Sequence, residues 1–151
     1  MIDIMSVSAS ISVQLERRNN EKISVIQLIN TFISNNWRLQ DDGKISYLPL
    51  GDDDDFDWQY NEISVEELMN IVNKKEICRE IIGLLMLWDT TDVGVQLLIH
   101  SELELSFSIS VNRKTIDNGN ITDVNWYLEK IITLLKKNNY IIESFSFEEY
   151  C

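Results

Sequence analysis

Polar and apolar residues alternate strictly over residues 6–15, where Val7, Ala9, Ile11, Val13 and Leu15 form the apolar set. A period of two predicts a strand with one buried face. Residues 103–111 alternate in the same way. Residues 81–88 are apolar on both alternations, which predicts a central strand covered on both faces. Further strands are predicted at 95–100 and 140–147, and a hairpin is predicted at 37–40 and 44–48, turning at residues 41–43.

Three segments carry the signals of a helix start. Ser24 and Ser64 each precede an apolar period and have Gln27 or Glu67 three residues later, which is the capping-box spacing. A third helix is predicted to begin after Thr122 or Asp123. We expect the three helices to end near residues 35–36, 74–75 and 136–137.

The predicted order is β-α-β-β-α-β-β-β-α-β, and most strand connections are short turns. Short turns favour antiparallel pairing, with helices covering the sheet. The sequence therefore predicts an α+β fold with a mostly antiparallel sheet and three helices. At 151 residues, a single domain over 1–151 is expected.

Net charge adds a prediction about partners. The chain has 25 acidic and 13 basic residues, a formal net charge of -12. Such a field repels nucleic acid and anionic membranes and attracts basic proteins. No basic segment followed by an apolar one opens the chain, so no signal peptide is predicted. The two cysteines, Cys78 and Cys151, show no metal-ligand spacing, and a reduced cytoplasmic setting is expected.

The acidity is concentrated in one stretch. Residues 48–58 read LPLGDDDDFDW and hold the only proline of the chain. No Lys or Arg occurs between residues 45 and 73. The same span contains eight carboxylates: Asp52, Asp53, Asp54, Asp55, Asp57, Glu62, Glu66 and Glu67. We expect a local negative field that exceeds what average composition would produce.

Sequence signatures of catalysis are mostly missing. The single histidine, His100, ends a predicted strand and has no nucleophile motif around it. The chain has no glycine-rich phosphate loop. Read as a calcium loop from Asp53, the acidic stretch places Trp58 where glycine is needed and Ser64 where the bidentate glutamate belongs. We therefore predict no enzyme activity, no cofactor and no dedicated metal site.

Aromatic residues alternate through the acidic stretch, and this pattern favours a protein interface. A ring supplies buried area and accepts a cation, while carboxylates pair with Arg or Lys. The alternative is that the rings anchor the loop while the aspartates are merely solvated. The predicted partner-binding residues are Asp52, Asp53, Asp54, Asp55, Phe56, Asp57, Trp58 and Tyr60. A second acidic segment, Glu148 to Tyr150, is expected to be a solvated tail, and Arg113 and Lys114 to form a turn or a counter-charge to the acidic stretch.

With the stretch LPLGDDDDFDW, and secondarily NRK at 112–114 and DVNWY at 123–127, the chain resembles the immunity proteins of bacterial toxin–immunity pairs, including those of contact-dependent growth inhibition. The resemblance implies a cytoplasmic, non-enzymatic protein that binds and neutralises a cognate toxin domain. Basic nuclease toxins are the expected class, because their substrate grooves are positive. Two alternatives stay open: a small metal-assisted enzyme that uses the carboxylates of residues 52–57, and an acidic adaptor subunit.

Overall fold

The computed structural model describes residues 8–16 and 22–150. Expectations for residues 1–7, for the turn at 17–20 and for Cys151 lie outside these described residues. The strands are β1 Ser8–Leu15, β2 Trp37–Arg38, β3 Gln40–Asp41, β4 Lys44–Tyr47, β5 Gln59–Asn61, β6 Ile82–Trp88, β7 Gly94–Ile99, β8 Glu104–Val111, β9 Thr115–Ile116, β10 Ile121–Thr122 and β11 Ile142–Tyr150.

One antiparallel sheet organises the chain. Its order is β11-β1-β8-β7-β6-β4-β3, with β2 added to β6 and β5 added to β4. The pair β9 and β10 forms a separate small ribbon. The predicted α+β class, with three helices and a mostly antiparallel sheet, is confirmed. Strand β6 lies inside this sheet, as its apolar pattern predicts.

The alternation of each strand divides the sheet into two faces. Paired residues of an antiparallel ladder share a face, so Ile11 and Leu97, which both pair with Phe107, lie together on one side. These side chains are fully buried. The opposite face is polar on β1 and β8, where Ser10 pairs with Ser108 and Ser12 with Ser106. The predicted half-exposed strands are therefore confirmed for the described residues.

Helix α1 (Val25–Ser34) and helix α2 (Val65–Ile77) begin at the predicted serines. The hydroxyl of Ser24 accepts the N–H of Gln27, and that of Ser64 accepts the N–H of Glu67. Phe32 of α1 packs edge-on against Phe107 of the sheet, with ring centroids 5.9 Å apart. Helix α2 ends at Ile77, two residues beyond its predicted end at 74–75.

Helix α3 is continuous but not uniform. It consists of an α-helical segment Val124–Tyr127, a π-helical segment Leu128–Thr133 and an α-helical segment Leu134–Lys137. Asp123 caps it, accepting the N–H of Trp126. The wider π turn rotates the buried stripe, so Leu134 is buried beside the predicted Leu135. The carbonyl of Lys130, inside the π segment, accepts the indole N–H of Trp37 at 3.1 Å.

The main sheet differs from the predictions in three details. The strand predicted at 37–40 is divided, because Trp37–Arg38 pairs with β6 whereas Gln40–Asp41 pairs with β4. Strand β5 was not predicted, since its residues do not alternate in hydrophobicity. Strand β11 continues to Tyr150, so the prediction of a tail at 148–150 is wrong, although Glu148 and Tyr150 are exposed as expected. None of the helices in the described residues is long and apolar enough to cross a membrane.

Candidate functional site

The acidic loop, defined here as residues 49–58, connects β4 to β5. Two apolar residues hold it against β6: Leu48, which precedes the loop, and Trp58, its last residue. A Cβ atom on Gly83 would lie 2.6 Å from Leu48 Cδ1 and 3.0 Å from the ring of Trp58. Only glycine permits this approach, because any side chain there would displace both residues. Trp58 is therefore half-buried, and it anchors the C-terminal end of the acidic loop.

Asp52 shapes the loop from inside. It is only 6% exposed, and its carboxylate accepts three backbone N–H groups. Asp55 and Phe56 donate to Oδ1, each at 3.0 Å, and Asp57 donates to Oδ2 at 2.7 Å. Hydrogen bonds from N–H groups to a carboxylate are stronger than neutral ones. One buried side chain thus fixes the backbone of residues 55–57.

A buried lysine of α2 stabilises the loop through its backbone carbonyls. Lys75 of α2 is 1% exposed. Its ammonium donates to the Pro49 carbonyl at 2.7 Å, to the Asp52 carbonyl at 2.6 Å and to Glu80 Oε1 at 3.2 Å. All three ammonium protons have partners, which is the condition for a tolerable buried charge. Lys75 was not predicted as a site residue, although its spacing from Leu68 and Val72 places it on the buried face of α2.

Two further contacts tie the loop to the start of β6. Glu80 also accepts the N–H of Gly51 at 2.8 Å, and Asp53 accepts the N–H of Ile81 at 2.8 Å. Gly51 has φ of 93°, a conformation that glycine adopts without strain. Asp53 therefore bonds to the scaffold although its side chain lies at the surface.

The outer part of the loop is a surface of three carboxylates around one ring. Asp54, Asp55 and Asp57 are exposed, and Phe56 is 44% exposed. Phe56 has φ of 53°, a left-handed conformation that is unfavourable for a bulky residue. The hydrogen bonds to Asp52 hold this backbone in place. The structure thus maintains an apolar ring in solvent among negative charges.

Tyr60, on β5, is 44% exposed, and its contacts are with the β3–β4 hairpin. Its hydroxyl donates to the Asp41 carbonyl at 2.9 Å, and the Lys44 ammonium lies 5.1 Å from its ring centroid. Loss of solvation, followed by the carboxylates of Asp41 and Asp42, raises the pKa of the Tyr60 phenol. The phenol is therefore a neutral donor at physiological pH.

The eight predicted site residues consequently divide into three groups. The first group lies inside the fold, where Asp52 is buried and Trp58 is half-buried. Asp53 is exposed but bonded to the scaffold. The exposed remainder is Asp54, Asp55, Phe56, Asp57 and Tyr60.

Charge compensation around the loop is slight. Among the described residues the ion pairs are Lys22–Glu76, Lys75–Glu80 and Arg113–Glu149, and none of them involves one of the eight carboxylates between residues 45 and 73. In residues 8–16 and 22–150, no group of three His, Cys, Asp or Glu side chains is placed to share a metal ion.

His100 has no hydrogen bond to the acidic loop among the described residues. It lines a cavity of about 260 Å³ together with charged residues that include Glu76, Arg79 and Glu102. Its Nε2 is 3.4 Å from the hydroxyl of Ser106. Such a long contact, without a carboxylate bonded to the other ring nitrogen among the described residues, does not form a catalytic triad.

The second acidic segment has a structural role. Glu149 accepts both the hydroxyl and the N–H of Thr122, and it pairs with Arg113 at 3.1 Å. The hydroxyl of Thr122 first, then its N–H and the Arg113 guanidinium, lower the pKa of Glu149. Arg113 is therefore the counter-charge of β11, and the expectation that it could neutralise the acidic loop is wrong.

The chain was compared with protein-family models, curated proteins and solved structures. None of the three comparisons finds a match. The functional assignment therefore rests on the geometry of the acidic loop.

Proposed function

We propose that this chain is a non-enzymatic inhibitor that binds a basic protein through the exposed part of the acidic loop. The observation that supports the proposal is the presentation of Phe56, 44% exposed and held at φ of 53° between exposed aspartates. Strained backbone persists only where surrounding contacts enforce it, and such strain is concentrated at binding and catalytic sites.

The two chemistries of this surface have separate tasks in the proposed complex. Asp54, Asp55 and Asp57 attract Lys and Arg of the partner and accelerate encounter. Phe56 is buried on contact and slows dissociation, because aromatic anchors at the centre of an interface contribute most of the binding energy. Asp52 and Lys75 order the loop before binding, which lowers the entropy lost on association.

The resemblance to immunity proteins specifies the class of partner. We propose that the partner is a cognate toxin domain, a basic nuclease, and that the complex forms in the cytoplasm. The aspartates would pair with the Lys and Arg side chains that otherwise bind phosphates of the substrate. A net charge of -12 is consistent with attraction to such a groove.

The electrostatic part is tested by a triple variant, Asp54→Asn, Asp55→Asn and Asp57→Asn. The probe is a purified basic nuclease domain of a bacterial toxin, taken from the gene immediately upstream where that gene encodes one. We expect its association rate to fall about tenfold at low salt and to lose most of its salt dependence. The control removes three exposed charges elsewhere, by Asp92→Asn, Asp117→Asn and Glu129→Gln. Equal rates for the two variants would refute contact through the loop.

The apolar part is tested by Phe56→Gly. Glycine accepts the φ of 53° without strain, so the substitution removes the ring but preserves the loop backbone. We expect the dissociation rate to rise about tenfold or more, with an association rate close to that of the unmodified chain. A dissociation rate that stays constant would show that Phe56 is outside the interface.

A further inference from the structure

The two edges of the main sheet differ in length and in protection. One edge has only short strands, since β3 has two residues and β5 has three, and the two pair with opposite sides of β4. Short strands are one way in which proteins avoid unwanted pairing. The other edge is β11, nine residues long, which pairs with β1 on one side only among the described residues. It contains neither proline nor lysine.

The ladder alternation shows which backbone groups of β11 are free. The N–H of Leu15 donates to the Leu103 carbonyl, so odd-numbered residues of β1 bond to β8 and even-numbered ones bond to β11. Phe145 and Phe147 are opposite odd-numbered residues, Val13 and Ile11. Their N–H and C=O groups therefore point away from β1. Within the described residues, these groups have no backbone partner in any turn or loop.

The side chains along this edge indicate the chemistry of an added strand. Phe145 is 45% exposed and lies on the helix-covered face, where the apolar residues of a further strand could cover it. Glu143 and Glu148 are exposed, and neither takes part in an ion pair among the described residues. Opposite charges in cross-strand positions stabilise pairing, and like charges oppose it.

We infer that the outer edge of β11 is a second binding surface, which accepts an extended, basic segment of a partner polypeptide as an additional antiparallel or parallel strand. A second copy of this chain is disfavoured as the occupant. Two β11 strands would bring the glutamates of both copies into one short ladder, and each copy has a net charge of -12. Addition of a strand to a free edge supplies main-chain hydrogen bonds, while the side chains select the sequence.

This surface is independent of the acidic loop. Five inter-strand steps separate β11 from β4, from which the loop departs. At about 4.8 Å per step, the distance is roughly 24 Å. Failure of the loop proposal would leave the edge proposal intact, and the reverse also holds.

The test uses a synthetic peptide as long as β11 in which lysine and valine alternate. Amide hydrogen exchange of the full chain is measured with and without the peptide. We expect exchange at Phe145 and Phe147 to slow about tenfold or more, while Ser144 and Ser146, already bonded to β1, change little. A matched peptide with glutamate for lysine should give no protection. Equal protection by both peptides, or none by either, would overturn the inference.

Variants make the test specific to the edge. Phe147→Pro removes an outward N–H, and proline is tolerated on edge strands, so peptide affinity should fall about tenfold. The double variant Glu143→Lys and Glu148→Lys keeps the backbone and should abolish binding of the lysine peptide. The triple asparagine variant of the acidic loop should bind the peptide as before. Unchanged binding by the double lysine variant, or protection of the edge by self-association without peptide, would contradict the assignment.

Discussion

The two acidic segments of this chain differ in what their carboxylates contact in the folded protein. In the acidic loop, Asp54, Asp55 and Asp57 remain in solvent. In β11, Glu149 is bonded to Thr122 and paired with Arg113. Both segments look alike in the sequence, as runs of carboxylates near aromatic residues. The difference between them is the position of the nearest buried or half-buried cation.

Each cation binds a different part of its acidic segment. Lys75 donates to two backbone carbonyls of the acidic loop and to Glu80, so the loop carboxylates stay outside its ion pair. Arg113 binds the carboxylate of Glu149 directly. A cation can therefore stabilise an acidic segment without neutralising its exposed charges. That arrangement suits a binding surface, whereas direct pairing suits a structural contact.

The largest effect is expected for Lys75→Met, which keeps the apolar stem and removes the ammonium. Two buried carbonyls and Glu80 would lose their shared donor, and the free energy of unfolding should fall by about 3 kcal/mol. Urea unfolding measures this loss. Arg113→Met is the matched control, and it should cost less because Arg113 lies closer to solvent. Equal losses for the two variants would remove the proposed distinction between the cations.

A smaller effect is expected for Asp52→Ala. Three N–H groups would lose a charged acceptor, and water can replace it only in part, so the free energy of unfolding should fall by about 2 kcal/mol. Asp54→Ala, at an exposed neighbouring position, should change it by less than about 0.5 kcal/mol. Chemical denaturation of both variants makes the comparison. Similar values would mean that Asp52 does not organise the loop.

The smallest effect is a pH dependence at Glu149. Its pKa in the folded protein is lowered, so the contact stabilises the fold above the ordinary glutamate pKa of about 4.3 and is lost as pH falls through the folded value. Glu149→Gln should lower Tm at pH 7, and the difference from the unmodified chain should vanish in acid. Thermal unfolding between about pH 7 and pH 2.5 measures it, with Glu143→Gln as control. A Tm difference that persists in acid would contradict the lowered pKa of Glu149.

Much of the fold was predictable because its signals are local. The alternation in residues 6–15 and 103–111 identified β1 and β8, and Ser24 and Ser64 identified two helix starts. The failures involve contacts over long sequence separations. The division of β2 from β3 depends on which neighbour each strand meets, and the π turn of α3 accompanies its contact with Trp37.

The location of the candidate site was predictable, but the roles of its residues were not. A run of aspartates identifies a charged loop, because no cation lies between residues 45 and 73. Identical residue types at 52, 53 and 54 give no indication of which carboxylate is buried. That choice depends on backbone N–H groups that converge only when the loop folds over Lys75.

By itself, the sequence determined the charge of the loop, the period of the long strands β1 and β8 and the caps of the helices, since these depend on residues close together in the chain. Only the tertiary structure decided that Asp52 lies inside, that Phe56 is exposed and that β11 is an edge of the sheet formed by the described residues. The physical reason is that burial and pairing depend on partners from distant segments. Lys75 and Gly83 place the acidic loop, and Arg113 and Thr122 bind Glu149.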